Sequence, residues 1–199
     1  MLLPSCWRFT VSIYAFSACR LYGIRTYRVR LSLTAVCKTH GNTTVENTTI
    51  NAARCLHAFA APEHIKVYSG AAAPLLRPVQ YAPDIHGAGG LGGVEGLPPA
   101  DSDSVRTRID NRRPAIEAIA AAIGQTWNAG AGAKVTVVAS GPLTNIALFV
   151  SVYPHLLDAV ERIVFMGGGI GVGNRSAVAG KGRRGGFQKP RFFSSRSSS

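Results

Sequence analysis

The stretch Lys134–Asn174, KVTVVASGPLTNIALFVSVYPHLLDAVERIVFMGGGIGVGN, decides the fold. It holds two short apolar runs, Val135–Ala139 and Ile163–Met166. Each stops at a loop of small residues, Ser140-Gly141-Pro142 and Gly167-Gly168-Gly169. Leu143–Val152, between the runs, reads as a helix. Strand, loop, helix, strand, loop is one βαβ unit of a parallel sheet. Ligands of such sheets sit beyond the carboxyl ends of the strands, where both small-residue loops fall.

Upstream of this unit, Pro114 is a favoured first helical residue. Ile116, Ile119, Ala120 and Ile123 then give a core-facing stripe up to Trp127, with Asp110 or Asn111 as the expected cap. Residues 71–104 are rich in Gly and Pro and read as a long loop, a kind of segment that is often functional. Gly87–Gly92 matches G-x-G-x-x-G, but Pro83-Asp84 precedes it and Gly96-Leu97-Pro98-Pro99 follows. The strand and helix that a dinucleotide fingerprint requires are missing. A second match, Gly180–Gly185, fails the same test.

Nearer the amino end, Leu31–Val36 is expected as a buried strand leading into the loop Lys38–Asn42. Thr43 or Thr44 can cap the following helix, whose stripe is Val45, Ile50, Ala53, Leu56 and Phe59, with Pro62 marking its end. Ile65, Val67 and Gly70 read as a short strand and turn.

These residues resemble a known family. Ser140–Leu148 (SGPLTNIAL), Ile163–Gly168 (IVFMGG) and Gly173-Asn174 are similar to the inosine–uridine-preferring nucleoside hydrolases. So are Thr39–Thr49 (THGNTTVENTT), Val67–Ala71 with Pro74–Pro78, and His86-Gly87 with Gly90–Gly93. The resemblance runs from Leu31 to Ala179. It implies an α/β fold: an open, mostly parallel sheet with flanking helices, of the nucleoside hydrolase type and incomplete. It also implies hydrolysis of the N-glycosidic bond of ribonucleosides, a calcium cofactor, a ribonucleoside as small-molecule partner, and a homo-oligomer.

Cleaving an N-ribosyl bond passes through an oxocarbenium-like state and needs an activated water. A calcium ion accepts many oxygen ligands and lowers the pKa of bound water. In the family an Asp-rich loop, D-x-D-x-x-x-D-D, supplies carboxylates and the general base, and a distal His-Asp pair supplies the acid. The resemblance assigns ribose contacts to Asn42, Met166 and Asn174, places His86 near the base pocket, and gives the Thr144 carbonyl to the metal. Each has a plainer role beside it: a turn for Asn42, a helix start for Thr144, core filling for Met166, and loop positions for Asn174 and His86. No Asp precedes Asp84, and Gly180 stands where the family has Glu. The expectation is therefore that no catalytic residue is present and that this chain binds no calcium and is inactive by itself. The alternative is a non-catalytic partner of full-length nucleoside hydrolase subunits.

Composition agrees with a folded middle and unlike ends. The net charge of +12 is uneven: residues 1–40 carry six Lys/Arg and no acid, residues 41–174 nine bases and ten acids, and residues 175–199 seven bases and no acid. The middle is near neutral, so no basic face points to nucleic acid, and no apolar run reaches the roughly 18 residues of a membrane span. Cys6, Cys19, Cys37 and Cys55 form no C-x-x-C, which gives no zinc or redox motif and leaves a reduced, cytoplasmic setting as the default.

Three parts are expected. Residues 1–30 are an unmatched basic segment, read as a transit-like peptide, a secretory signal or a mispredicted exon. Residues 31–179 are a partial nucleoside hydrolase domain. Residues 180–199 are a disordered, basic, Ser-rich tail. Gly180-Lys181 can be encoded GGT-AAG, which contains the GTAAG of a splice donor. On this hypothesis the tail is intron read-through, and other codons at that point in the gene would sink it.

Overall fold

The computed structural model describes the backbone of residues 7–11 and of 31–166, with side chains from Leu33 onward. In chain order the elements are β1 (Trp7–Val11), β2 (Leu31–Leu33), β3 (Val36–Lys38), α1 (Val45–Ala58), β4 (Val67–Ser69), the one-turn helices α2 (Pro83–His86) and α3 (Asp103–Arg106), α4 (Ala115–Trp127), β5 (Val135–Ala139), α5 (Thr144–Val152) and β6 (Val160–Phe165). Among the described residues every strand pairing is parallel. The order is β2-β1-β5-β6 in one sheet and β3-β4 in a second.

The βαβ unit expected from the sequence is β5-α5-β6. Val135 pairs with Val160, the register then slips by one residue at Glu161, and Ala139 ends opposite Phe165. The Met166 N–H continues the ladder to the Ala139 carbonyl at 3.0 Å.

Successive strand residues point to opposite faces, and β3 shows what that does here. Val36 is fully buried among Ala52, Ala53 and Leu56 of α1, with Ile65, Val67 and Val105. Its neighbour Cys37 packs on the other side, against Ile119 and Ile123 of α4, Val135 and Val137 of β5, and Phe149 of α5. Helices therefore cover both faces, as parallel strands require.

Local signals explain most element ends. Thr44 caps α1, its hydroxyl accepting from the Asn47 N–H at 3.3 Å. Asn128 ends α4 in the left-handed region at φ 45°. The buried positions of α1 are Val45, Thr49, Ala52, Ala53 and Leu56. Ile50 is only partly buried, and Phe59 falls past the helix as its C-cap.

Two sequence expectations are corrected. The single strand over Leu31–Val36 is two strands, because the chain leaves β1 after Leu33 and joins β4 from Val36. Neither Asp110 nor Asn111 caps α4. Its N-cap is Pro114, with no side-chain cap, and Asp110 instead accepts from the backbone N–H and guanidinium of Arg112. Trp7–Val11, within residues 1–30, forms the strand between β2 and β5. WRFTV alternates apolar and polar residues, a strand signal that the Arg- and Ser-containing composition around it obscured. Residues 180–199 lie outside the described residues.

β6 ends the sheet order and is exposed from Glu161 to Phe165. Among the described residues no helix is long and apolar enough to cross a membrane.

Candidate functional site

Four segments leave the carboxyl ends of strands: Thr39–Asn42 after β3, Gly70–Ala71 after β4, Ser140–Leu143 after β5, and Met166 after β6. The first three are knotted together by buried polar groups. Asn145, in the first turn of α5, donates from Nδ2 to the Lys38 carbonyl at 2.8 Å and accepts at Oδ1 from the Ala71 N–H at 3.0 Å. The Ala71 carbonyl in turn accepts from the His40 N–H at 2.9 Å and the Thr39 hydroxyl at 3.0 Å.

His40 and Thr144 complete the knot. His40 is 4% exposed, and its Nε2 lies 3.1 Å from Thr144 Oγ1. Burial lowers the pKa of His40 below its ordinary value, so the ring is neutral near pH 7, with one donor and one acceptor nitrogen. The loops lie within van der Waals reach of one another. A Cβ at Gly41 would stand 3.7 Å from Pro142 Cδ, and one at Gly141 would stand 3.8 Å from Thr39 Cγ2. Gly70 has no room for a Cβ at all, because the Asn145 amide and the Lys38 carbonyl occupy its place. Ser140 Oγ is buried beside this knot with no hydrogen-bond partner among the described residues.

The assigned residues fall as follows. Asn42 is exposed, and its carbonyl accepts from the Ala82 N–H at 2.9 Å. That bond anchors α2, so the half-buried His86 stands on an element tied to the Asn42 loop. Asn47 and Asn51 of α1 donate to the Ala88 and Gly89 carbonyls, holding the glycine loop after His86 against α1. Gly90, at φ +82°, has a Cβ position blocked by Thr43. Residues 87–93 form turns, with neither the strand nor the helix of a dinucleotide motif. Thr144 is buried and opens α5; its hydroxyl is spent on His40 rather than on a helix cap. Met166 is 75% exposed, so core filling does not describe it. Asn174 lies outside the described residues.

Among the described residues no three His, Cys, Asp or Glu side chains come together in a way that could hold a metal ion. The Thr144 carbonyl is a single neutral oxygen, whereas a calcium site needs several oxygen ligands, carboxylates among them. The described residues therefore do not fit calcium by themselves. Burial pushes the Cys37 thiol up to about 12, and Cys55 is also raised by burial, which leaves neither as a thiolate nucleophile near pH 7. A cavity of about 240 Å³ lined by His57, Glu63, Lys66, Ser104, Thr107 and Arg108 involves none of the assigned residues.

The family motifs assign roles to Asn42 and Thr144 and none to Asn145 or His40. Asn145 lies inside the quoted SGPLTN motif, yet its partners are backbone groups 74 and 107 residues away, which no local pattern announces.

Residues 17–180 match the family model described as inosine-uridine preferring nucleoside hydrolase. The chain is 40% identical over 140 residues to the uncharacterized Schizosaccharomyces pombe protein C17G8.02, covering 70% of this chain and 38% of that one. It is 37% identical over 134 residues to the non-specific ribonucleoside hydrolase RihC of Klebsiella pneumoniae, covering 67% and 40%. Its backbone resembles the solved inosine-guanosine nucleoside hydrolase with a TM-score of 0.63 at 24% identity, over 85% of this chain and 52% of the other. The chain thus spans about two fifths of the length of the first two relatives.

Proposed function

This chain belongs to the inosine-uridine preferring nucleoside hydrolase family, and on that premise we propose that the whole protein hydrolyses the N-glycosidic bond of ribonucleosides, releasing base and ribose. The observation that carries the reading is the knot of loops at the carboxyl ends of β3, β4 and β5. It is built from the same Thr39–Asn42 and Ser140–Asn145 segments that carry the family motifs.

In this reading Asn42 and Met166, with Asn174, contact the ribose, and His86 lines the base side. The knot holds the Asn42 loop and the start of α5 in a fixed relation, so that a sugar meets a prearranged surface rather than ordering it. The family's calcium would supply the activated water. Thr144 offers it one carbonyl, and the remaining ligands have to come from outside the described residues. A polypeptide of these 199 residues alone is therefore read as inactive.

The experiment is hydrogen exchange on the protein expressed from its complete reading frame, with and without inosine. Added inosine is expected to slow exchange at residues 39–42 and 140–145. Protection confined to other segments contradicts this site.

A second reading, a non-catalytic partner of full-length subunits, draws on the exposed apolar row of β6, where Phe165 is 49% and Met166 75% exposed. Co-expression with a full-length family member should then give mixed oligomers, and their absence removes this reading.

A further inference from the structure

His40 touches two of the three loops of the knot and belongs to the third. Its ring meets Thr144 Oγ1 at 3.1 Å, and its backbone N–H donates to the Ala71 carbonyl at 2.9 Å. Two residues on, Asn42 is exposed and makes its backbone bond to Ala82. Gly41, between them, packs toward Pro142. Asn42 follows directly on the segment Thr39–Gly41, and the imidazole joins this segment to the first residue of α5.

We infer that His40 is a positioning residue: through Thr144 it fixes the Thr39–Asn42 loop against the start of α5 and so sets where the Asn42 amide stands. This deepens the nucleoside reading and rests on it for the role of Asn42, while the coupling of His40 to Asn42 can be measured without any nucleoside. An apolar residue at position 40 would fill the space but leave the Thr144 hydroxyl buried and unpaired, which is costly. A glutamine can bring an amide to about the place of Nε2 and keep the bond.

The test uses the 199-residue chain labelled with nitrogen-15, observing the Asn42 side-chain amide by NMR before and after adding inosine. The variants are His40→Gln, His40→Leu, Thr144→Ser and Thr144→Val. His40→Leu and Thr144→Val are expected to move the Asn42 amide in the same direction and to weaken inosine binding by about tenfold. His40→Gln and Thr144→Ser should leave both within about twofold of the parent, a rescue that loss of packing alone does not give. An Asn42 amide unmoved in His40→Leu, or moved equally by His40→Gln, overturns the inference. If His40→Leu does not fold, Thr144→Val against Thr144→Ser makes the same discrimination. If inosine shifts no resonance even in the parent, the ribose reading of Asn42 fails, and the Asn42 shifts still decide the role of His40.

Discussion

Asn145 Nδ2 donates to the carbonyl of Lys38 at 2.8 Å, across 107 residues of sequence, while its Oδ1 accepts from Ala71. Asn145 is 5% exposed, so removing its side chain leaves a buried carbonyl and a buried N–H without these partners. Asn145→Ala is expected to cost about 2–4 kcal/mol, read as a lower urea midpoint at unchanged slope. Asn145→Asp keeps the acceptor but sets an oxygen against the Lys38 carbonyl, and should recover less than half of that loss. Gly70→Ala should cost about 1–3 kcal/mol by overpacking. Its effect should shrink in the Asn145→Ala background, where the blocking amide is gone. Fully additive losses would show that the two residues do not share this space.

Ser140 presents the opposite case. Its hydroxyl is buried and has no partner among the described residues, so Ser140→Ala discards an unsatisfied group. Thermal melting should show the variant as stable as the parent, or more stable by up to about 1 kcal/mol. A drop of that size would reveal a bond that the structure does not contain.

Asp110 gives a pH signature. The Arg112 guanidinium and backbone N–H hold its carboxyl down at about 2. A carboxylate whose folded pKa is depressed adds stability above the unfolded value, about 3.9. That stability is lost as pH falls through the folded value. Asp110→Asn should therefore melt below the parent by a constant margin from about pH 7 to pH 5, and the margin should close as the pH approaches about 2. The Arg112 side chain is 86% exposed, so salt should narrow the margin too. A margin that widens in acid would contradict the pairing.

The edge strand β6 carries Ile163, Val164, Phe165 and Met166 at 38%, 48%, 49% and 75% exposure. An unpaired apolar edge is a template for association. Light scattering should find the 199-residue chain self-associating, and Phe165→Lys should reduce this with little change in melting temperature. A monodisperse parent would mean that the row is covered in solution.

The central βαβ unit was legible because its apolar runs and small-residue loops are local signals. α4 was legible too, with Pro114 before it and a stripe of Ile and Ala within. Where the reading went astray, long-range pairing won. The transfer from β1 to β4 between Leu33 and Val36 depends on which strands are neighbours. The strand Trp7–Val11 becomes visible only once β5 is there to receive it. For the site, family motifs supplied Asn42, Thr144, Met166 and His86 as expectations. The bonds that hold two of their loops run from His40 and Asn145 to groups distant in sequence, and only the folded chain brings those together.

Release of free base from inosine and uridine with calcium present tests the central claim most directly. It should be measured side by side for the 199-residue polypeptide and for the protein expressed from its complete reading frame. The expected result is release by the protein from its complete reading frame and none above the blank from the 199 residues, whose described part holds no carboxylate cluster for the metal. Hydrolysis by the 199 residues alone, or none from the complete reading frame, would contradict the claim.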